Sequence, residues 1–187
     1  GVFITSYYPC GDDWSIREIE ASKGYLLDST LYPVGAEEKN YTVEYNKAPA
    51  IPVFEQVIKG QIAITKYADN GDRFQASFEE DATFEVYLKS AGSFEMAKET
   101  ERDILICDEY GFAESKSLPY GIYTVHQVYG WDGRALVEDF DVLITEDGKV
   151  YEYVLTNQLV YGEVTGFKVD EEGVGLAGAT IGIFDPG

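Results

Sequence analysis

The chain has 187 residues, of which 34 are acidic and 14 basic, and its formal net charge is -20. This excess of negative charge argues against nucleic acid and against anionic membrane surfaces as partners. No apolar run approaches the length of a membrane-spanning helix, and the first residues lack the charged-then-apolar pattern of a leader, so neither is predicted.

Taken in chain order, the first stretch of sequence returns later in the chain. Gly1–Asn46 matches Gly111–Asn157, and Gly162–Asp185 matches Gly60–Leu88. The two offsets agree within the variation expected of loop lengths, so the repeating unit is about one small domain long. Such self-similarity is typical of a tandem array.

The repeat divides the chain into one complete copy and two parts of another. In order, these are the back half of a copy (1–46), a connector stiffened by Pro49 and Pro52 (47–59), a complete copy (60–158) and the front half of a copy (162–187). The two ends therefore carry complementary parts of one fold. This arrangement predicts beads joined by short connectors.

Within the complete copy, apolar and polar residues alternate in segments rich in Val, Ile, Thr, Tyr and Phe. These segments are residues 61–67, 82–88, 122–130, 139–144 and 150–156, separated by turns at 69–72, 108–111 and 146–148. About seven short strands in one copy predict an all-β fold, an antiparallel, immunoglobulin-like two-sheet sandwich. Only Ser93–Asp103 is interpreted as a short helix.

Several residue types that often mark a site have simpler explanations here. Cys10 and Cys107 fall at unrelated positions of the two copies, so we do not expect a disulfide, and no Cys/His metal spacing exists. The acidic loops match no calcium-loop spacing and are explained by turn chemistry. His126 has no nucleophile motif near it and is interpreted as a strand residue. No metal and no cofactor is predicted.

A lysine and an asparagine carry the chemistry that the sequence does predict. Lys66 lies in the first strand of the complete copy and Asn157 at the end of its last strand, and these strands neighbour each other in such sandwiches. Burial among apolar residues lowers the pKa of a lysine and favours its neutral amine. A buried glutamic acid, for which we take Glu85, could polarise the amide and move protons. The product would be a Lys–Asn amide formed with loss of ammonia.

Four motifs carry a resemblance to a known family: the ITK of the first strand, ATFEVY, LPYGIYTV, and a last strand that ends in Asn. With them the chain resembles, over essentially its whole length, the Cna B-type (SpaA-like, prealbumin-like) domains of Gram-positive pilins and adhesins. The resemblance implies an autocatalytic intramolecular isopeptide bond between Lys66 and Asn157, with Glu85 as the catalytic acid.

The head of the chain carries a further motif of that family. Residues 14–25 resemble the E-box YxLxExxAPxGY, with Trp14 for the first Tyr and Ser22 for the Pro, and they place Glu18 at the acidic position. Glu20 is a weaker candidate for the same role. The complete copy has Gln127 where the head has Glu18.

The tail has Gly182 where the complete copy has Glu85. Each copy thus keeps one carboxylate: Glu85 in the complete copy, which has Gln127 at the other position, and Glu18 in the split copy. For the split copy the resemblance implies a second site, made of Lys168, Asn46 and Glu18. This site requires the two halves to meet. The sequence leaves open how they would meet: within one molecule, or by head-to-tail contact between molecules, which would propagate as a filament. The split ends are equally explained by a cut from a longer array.

We expect a structural stalk module of a secreted, cell-wall-associated adhesin or pilin, and no enzyme beyond a single-turnover condensation. Its expected partners are neighbouring domains of the array and, through head-to-tail complementation, another copy of the chain. Two alternatives stay open: a domain that binds a host protein or glycan, and an accessory module of a secreted enzyme. At Tyr32–Val34 the residue Val34 stands where a pilin-motif lysine would be needed, so sortase assembly through this segment is not predicted.

Overall fold

The computed structural model describes residues 1–9, 14–34, 52–71 and 76–184. The predicted all-β sandwich is confirmed. The strands are β1 (Ser15–Ile16), β2 (Tyr25–Leu26), β3 (Tyr32–Pro33), β4 (Gln56–Val57), β5 (Lys59–Asp69), β6 (Ala76–Phe78), β7 (Thr83–Leu88), β8 (Arg102–Ile106), β9 (Phe112–Glu114), β10 (Leu118–Pro119), β11 (Gly121–Tyr129), β12 (Arg134–Ala135), β13 (Phe140–Ile144) and β14 (Val150–Leu159).

Two sheets form the intact domain. One has the order β10-β5-β14-β12, and β6 and β9 also pair with β5. The other has the order β13-β11-β7-β8. Two short pairs, β1 with β3 and β2 with β4, belong to the head of the chain.

The core lies between the two sheets and follows the period-two alternation of the strands. Ile62 and Ile64 of β5 face Phe84 and Val86 of β7, and all four are fully buried. Burying such a side chain stabilises a fold by about 1.5–3 kcal/mol. The alternation therefore decides which side chains of each strand can reach the interior.

The first and last strands of the intact domain lie side by side, as the sequence predicted. β5 and β14 pair in parallel, with Lys66 opposite Leu155 and Asn157 opposite Ala68. The other strand pairs of the described residues are antiparallel. The parallel pair brings the start and the end of the domain's sequence to the same place.

The helix predicted over Ser93–Asp103 does not form. A single 3-10 turn, Lys89–Ala91, precedes this region, a second, Glu99–Glu101, lies within it, and β8 begins at Arg102. The guanidinium of Arg102 donates hydrogen bonds to the carbonyls of Phe94 and Glu95. These bonds hold the excursion as a loop, and pairing with β7 makes its last residues a strand.

The end of the predicted connector is hydrogen-bonded to both neighbouring parts of the chain. Its residues Gln56–Val57 form β4 and pair with β2 of the head. Ile58 donates its backbone N–H to Gly24 at 2.9 Å, and its carbonyl accepts the N–H of Tyr120 at 2.8 Å. The earlier part of the connector, with Asn46 and Cys10, lies outside the described residues.

The tail carries a hairpin whose described side chains are mostly exposed. Val169 and Gly175 form an antiparallel bridge, and Phe167 is 100% exposed. Within the described ranges no helix has the length and hydropathy needed to cross a membrane.

Candidate cross-linking site

Lys66 occupies a core position of β5. The alternation that buries Ile62 and Ile64 also buries Lys66, and its side chain is 0% exposed. The ammonium Nζ donates to Glu79 Oε2 and to the Tyr67 carbonyl, each at 2.8 Å. Burial lowers the pKa of Lys66, and the ion pair with Glu79 opposes this shift. A buried charge of this kind is tolerated only when it is paired.

Glu79 is the carboxylate that the structure places at this lysine. Tyr67 pairs with Phe78, and the next pair of that antiparallel register sets Glu79 opposite Lys66. The Glu79 N–H donates to the Lys66 carbonyl at 3.0 Å, so the backbone ladder continues through this pair. Phe78 points outward and Glu79 inward, where its side chain is fully buried.

Asn157 of β14 completes the set from the other side of the same carboxylate. Its side chain is fully buried, and Nδ2 donates to Glu79 Oε1 at 3.1 Å. The backbone N–H of Trp131 donates to the same oxygen at 2.6 Å and helps to fix the carboxylate. Among the buried side-chain atoms of the described residues, Asn157 Oδ1 alone has no hydrogen-bond partner.

Gly130 leaves the space in which these groups meet. A Cβ at Gly130 would lie 2.6 Å from Asn157 Nδ2 and 2.8 Å from both Gln127 Nε2 and Glu79 Oε1. Gln127 is also buried, and its own bonds to the Tyr129 carbonyl and from the Val137 N–H hold it in place. The absence of a side chain at residue 130 therefore allows three polar side chains to converge.

Glu85, the acid expected from the sequence, does not join this site. Phe84 and Val86 face the core, so the alternation of β7 directs Glu85 to the opposite face of the sheet. There it lies between Ile104 and His126 in the strand register. Glu79 takes the position assigned to Glu85. A motif position does not fix the parity of a strand, and this parity decides which face Glu85 takes.

Counting from the turn in the sequence does not find Glu79. A hairpin closed by the turn at residues 69–72 would set residue 75 opposite Lys66, whereas the observed register pairs Asp69 with Ala76 and sets Glu79 opposite Lys66. Residues directly opposite each other in a hairpin share one face of the sheet. The glutamate opposite the buried lysine is therefore the natural candidate, whereas Glu85 lies six residues farther on.

Of the residues predicted for the split copy, the structure describes Glu18 and Lys168, and it shows no hydrogen bond or ion pair between them. Glu18 is partly buried, and its Oε2 accepts the N–H of Asp28 at 2.8 Å. Lys168 lies exposed in the tail hairpin, and Asn46 is outside the described residues. Glu20 is exposed. The second site therefore stays a prediction.

His126 and Cys107, two other residues considered in the sequence, lie in surroundings that favour a structural role. His126 pairs through Nδ1 with Asp139 Oδ1 at 2.6 Å on the exposed face of β11. Cys107 is a free, buried thiol, and burial raises its pKa to about 11. A thiol with so high a pKa is a poor nucleophile at neutral pH.

The arrangement can condense an amine with an amide. One carboxylate contacts both the nucleophile Lys66 and the electrophile Asn157, inside a core that excludes bulk water. A group that bonds both reactants can accept the proton from one and deliver it to the other. Fixed positions remove most of the entropic barrier to such a reaction.

Comparisons with known proteins show the fold. No family model matches the chain, and no curated protein does. Among solved structures, the chain is similar to the TIE protein of Bacillus anthracis, with a TM-score of 0.58 and 23% identity over 87% of this chain and 31% of that one. It is also similar to GBS52, the minor pilin of Streptococcus agalactiae, with a TM-score of 0.47 and 18% identity over 61% of this chain and 51% of that one.

A third likeness is to the shaft pilin SpaA of Lactobacillus rhamnosus GG, with a TM-score of 0.44 and 16% identity over 54% of this chain and 51% of that one. The chain spans between about a third and a half of these three proteins. The likeness to the TIE protein supports the β-sandwich fold that the motifs predicted.

Proposed function

We propose that this chain, whose intact domain has the pilin-like Cna B-type fold, is a stalk module of a Gram-positive surface protein, locked by a Lys66–Asn157 isopeptide bond. The observation that carries the proposal is the bridging carboxylate. Glu79 bonds Lys66 Nζ at 2.8 Å and Asn157 Nδ2 at 3.1 Å, and all three side chains are fully buried.

The first step is a proton transfer within the buried ion pair. The proton moves along the 2.8 Å hydrogen bond from Lys66 Nζ to Glu79 Oε2 and leaves a neutral amine and a neutral carboxylic acid. The burial that lowers the pKa of Lys66 favours this uncharged pair, because low-dielectric surroundings penalise charge. The amine is then a nucleophile.

The second step joins the two side chains. Lys66 Nζ attacks Cγ of Asn157, and the charge that develops on Oδ1 is stabilised by the acidic proton of Glu79, which a half-turn of the carboxamide brings within reach. The Cγ–Nδ2 bond of Asn157 breaks. The two protons lost from the Lys66 ammonium are transferred to Nδ2, which leaves as ammonium. Glu79 ends as the carboxylate from which it began, so the reaction needs no other reactant.

The bond would carry load between the two ends of the domain. β5 and β14 pair in parallel, so tension applied to the start of β5 and the end of β14 pulls the two strands past each other. A covalent bond between them would bear this force and leave the 90 residues between Lys66 and Asn157 unloaded. Unlike a disulfide, an amide is not reduced by thiols. These properties suit a stalk exposed to shear and proteases.

The setting proposed for the module is the cell wall, with neighbouring domains of the array as its partners. Contact with a preceding domain is supported by the hydrogen bonds from Ile58 to Gly24 and from Tyr120 to Ile58, which tie the intact domain to the residues before it. The chain makes one bond in itself and turns over no substrate.

Intact mass under denaturing conditions tests the proposal. We expect the purified chain to weigh one ammonia less than its sequence, and Glu79→Ala to restore the full mass because no group remains to move the proton. Glu85→Ala is the matched control, since it removes a glutamate of the same domain, and this variant should keep the loss. Full mass in the unsubstituted chain, or restoration by Glu85→Ala alone, would contradict the proposal.

A further inference from the structure

Glu79 lies where the chain leaves one sheet of the intact domain for the other. β6, which pairs with β5, ends at Phe78, and β7 of the opposite sheet begins at Thr83. Glu80 and Asp81 form a turn between the two strands. A side chain at the end of a strand is placed by the strand on one side only. The position of the Glu79 carboxyl group therefore depends on what holds the turn that follows.

The far side of this turn is held through its backbone. Asp81 has a φ of +64°, in the left-handed region that aspartate tolerates better than most residues do. Its N–H donates to the carbonyl of Cys107 at 2.9 Å, and the N–H of Cys107 donates to the carbonyl of Ala82 at 2.9 Å. These bonds fix residues 81–82 against the end of β8. The near side, at Glu80, is held by a different residue.

Trp131 holds the near side with two N–H groups. Its backbone N–H donates to Glu79 Oε1 at 2.6 Å, and its indole Nε1 donates to the carbonyl of Glu80 at 3.0 Å. One donor therefore fixes the carboxylate, and the other fixes the backbone of the next residue. Two donors on one rigid residue restrict the rotation of the carboxylate about its side-chain bonds.

Arg134 in turn holds the indole of Trp131. Its guanidinium lies 5.5 Å from the centre of the indole ring, within the range of a cation–π contact. Its Nε donates to the carbonyl of Asp69, the last residue of β5, at 2.7 Å. Arg134 also begins β12, where it pairs with Leu159 of β14. The tryptophan is thus tied to both strands that the proposed bond would join.

The distances around the carboxylate show why this support matters. Glu79 Oε1 lies 3.1 Å from Asn157 Nδ2, close to the limit of about 3.2 Å for a contact that can move a proton. The other oxygen, Oε2, lies 2.8 Å from Lys66 Nζ. A small rotation of the carboxylate would therefore break its contact with the amide before its contact with the amine.

Both bonds of Trp131 persist through the proposed proton transfer. The proton moves to Oε2, and Oε1 can accept the Trp131 N–H in the ionised and in the neutral carboxyl group alike. The indole bond goes to a backbone carbonyl, which does not titrate. Trp131 can therefore hold the acid throughout the reaction without exchanging a proton itself.

We propose that Trp131 is a positioning residue of the cross-linking reaction, and that it keeps the carboxyl group of Glu79 within reach of both the lysine amine and the asparagine amide. This inference rests on the proposed function, since it concerns the same site. It assigns a role to a residue that acts through the acid and not on the reacting atoms.

The test follows the loss of ammonia with time in chains made by cell-free synthesis and quenched at intervals for intact mass. Trp131→Phe keeps an aromatic ring and the backbone N–H and removes the indole N–H. We expect this variant to lose ammonia roughly 10-fold more slowly, since a misplacement of about 1 Å can cost about 100-fold in rate.

Trp14→Phe is the matched control for this experiment. Trp14 also donates its indole N–H to a backbone carbonyl, that of Pro9 at 2.8 Å, but it does so in the head of the chain. This variant should lose ammonia at the rate of the unsubstituted chain.

A second measurement separates positioning from stability. Charge-assisted hydrogen bonds are short, and a short bond moves an amide proton downfield, so the amide proton of residue 131 reports the bond to Glu79. In the Asn157→Ala background, where no cross-link forms, we expect Trp131→Phe to move this proton upfield and Trp14→Phe to leave it in place. Thermal unfolding of the same samples shows that each variant folds. An unmoved proton in folded Trp131→Phe would overturn the inference even if the rate fell.

A third variant loosens the indole from outside. Arg134→Met removes the guanidinium above the ring and leaves both N–H groups of Trp131 in place. It should slow the loss of ammonia and move the residue 131 proton in the same direction as Trp131→Phe. It provides the same test if Trp131→Phe does not fold.

The outcomes separate this inference from the proposed function. Equal rates of ammonia loss in Trp131→Phe and Trp14→Phe would overturn this inference alone. Absence of ammonia loss from the unsubstituted chain would overturn the proposed function, and the positioning role would fall with it.

Discussion

Replacing Asn157 by alanine tests how much stability the internal bond supplies. The substitution removes the electrophile and keeps the Lys66–Glu79 ion pair, so it separates the cross-link from the buried charges. We expect the variant to fold, to show its full sequence mass, and to unfold at a much lower temperature than the unsubstituted chain.

The magnitude follows from the loop that the bond closes. With 90 residues between Lys66 and Asn157, chain entropy gives a stabilisation of about 4–5 kcal/mol on the relation used for disulfides. For a domain of this size, each kcal/mol shifts the unfolding temperature by roughly 4–8 °C. The cross-link should therefore account for a difference of roughly 16–40 °C in the unfolding temperature.

A matched background isolates the bond from the packing of the asparagine side chain. In Lys66→Met no bond can form, so adding Asn157→Ala there measures only the lost packing and hydrogen bonding, about 1–3 kcal/mol. Thermal unfolding followed by circular dichroism, with the mass of each sample checked, gives both differences. The reasoning would be refuted if Asn157→Ala lowered the unfolding temperature equally in both backgrounds.

Three further predictions follow from the same geometry. Gly130→Ala should leave most molecules at full mass, because its Cβ would lie 2.6 Å from Asn157 Nδ2. The control Gly162→Ala, with nothing within 4 Å of its Cβ, should keep the ammonia loss. Equal masses of the two variants would contradict this prediction. In Asn157→Ala the folded state holds Lys66 at a pKa below its ordinary value of 10.5. Between these two pKa values the folded state binds fewer protons than the unfolded state. The free energy of unfolding, measured with denaturant, should therefore rise with pH through this window. The rise should be smaller in Lys66→Met/Asn157→Ala, and an equal rise in both would count against a buried amine. Cys107, whose pKa burial raises to about 11, should resist iodoacetamide at neutral pH in the folded chain and react after denaturation, and fast labelling of the folded chain would place this thiol at the surface.

The sequence was sufficient to predict the layers and the pairing of the ends. The alternation around Ile62 and Ile64 indicated a half-buried strand, and the same period makes Lys66 a core residue. Because the first and last strands are expected to lie side by side, Asn157 is then predicted to lie beside Lys66. These predictions succeeded because strand periodicity and sandwich topology are set by burial of apolar surface.

The acid could not be assigned from residue type and motif position alone. Glu85 alternates with Phe84 and Val86 and must point away from the core, whereas Glu79 depends on the register of a hairpin. A shift of one residue reverses the face of every side chain in a strand. An alignment tolerant of loop length does not fix such a parity.

The same reason explains the head of the chain. The pairing of β4 with β2 makes Gln56–Val57 part of the head's strands, whereas Asn46, the acceptor expected for the split copy, lies outside the described residues. In the repeat, GQIAITK and GEVTGFK follow directly after EQVIK and NQLVY, and this correspondence aligns Glu55 with Asn157. Register, here read from backbone hydrogen bonds, decides which residue occupies a site.

Sequencing the digested peptides of the unsubstituted chain by tandem mass spectrometry tests the central claim most directly. An isopeptide bond blocks trypsin after Lys66, so we predict one branched peptide that contains both residue 66 and residue 157 and weighs one ammonia less than its two strands. Cleavage after Lys66, with a separate linear peptide carrying an unmodified Asn157, would show that the buried amine and amide never joined.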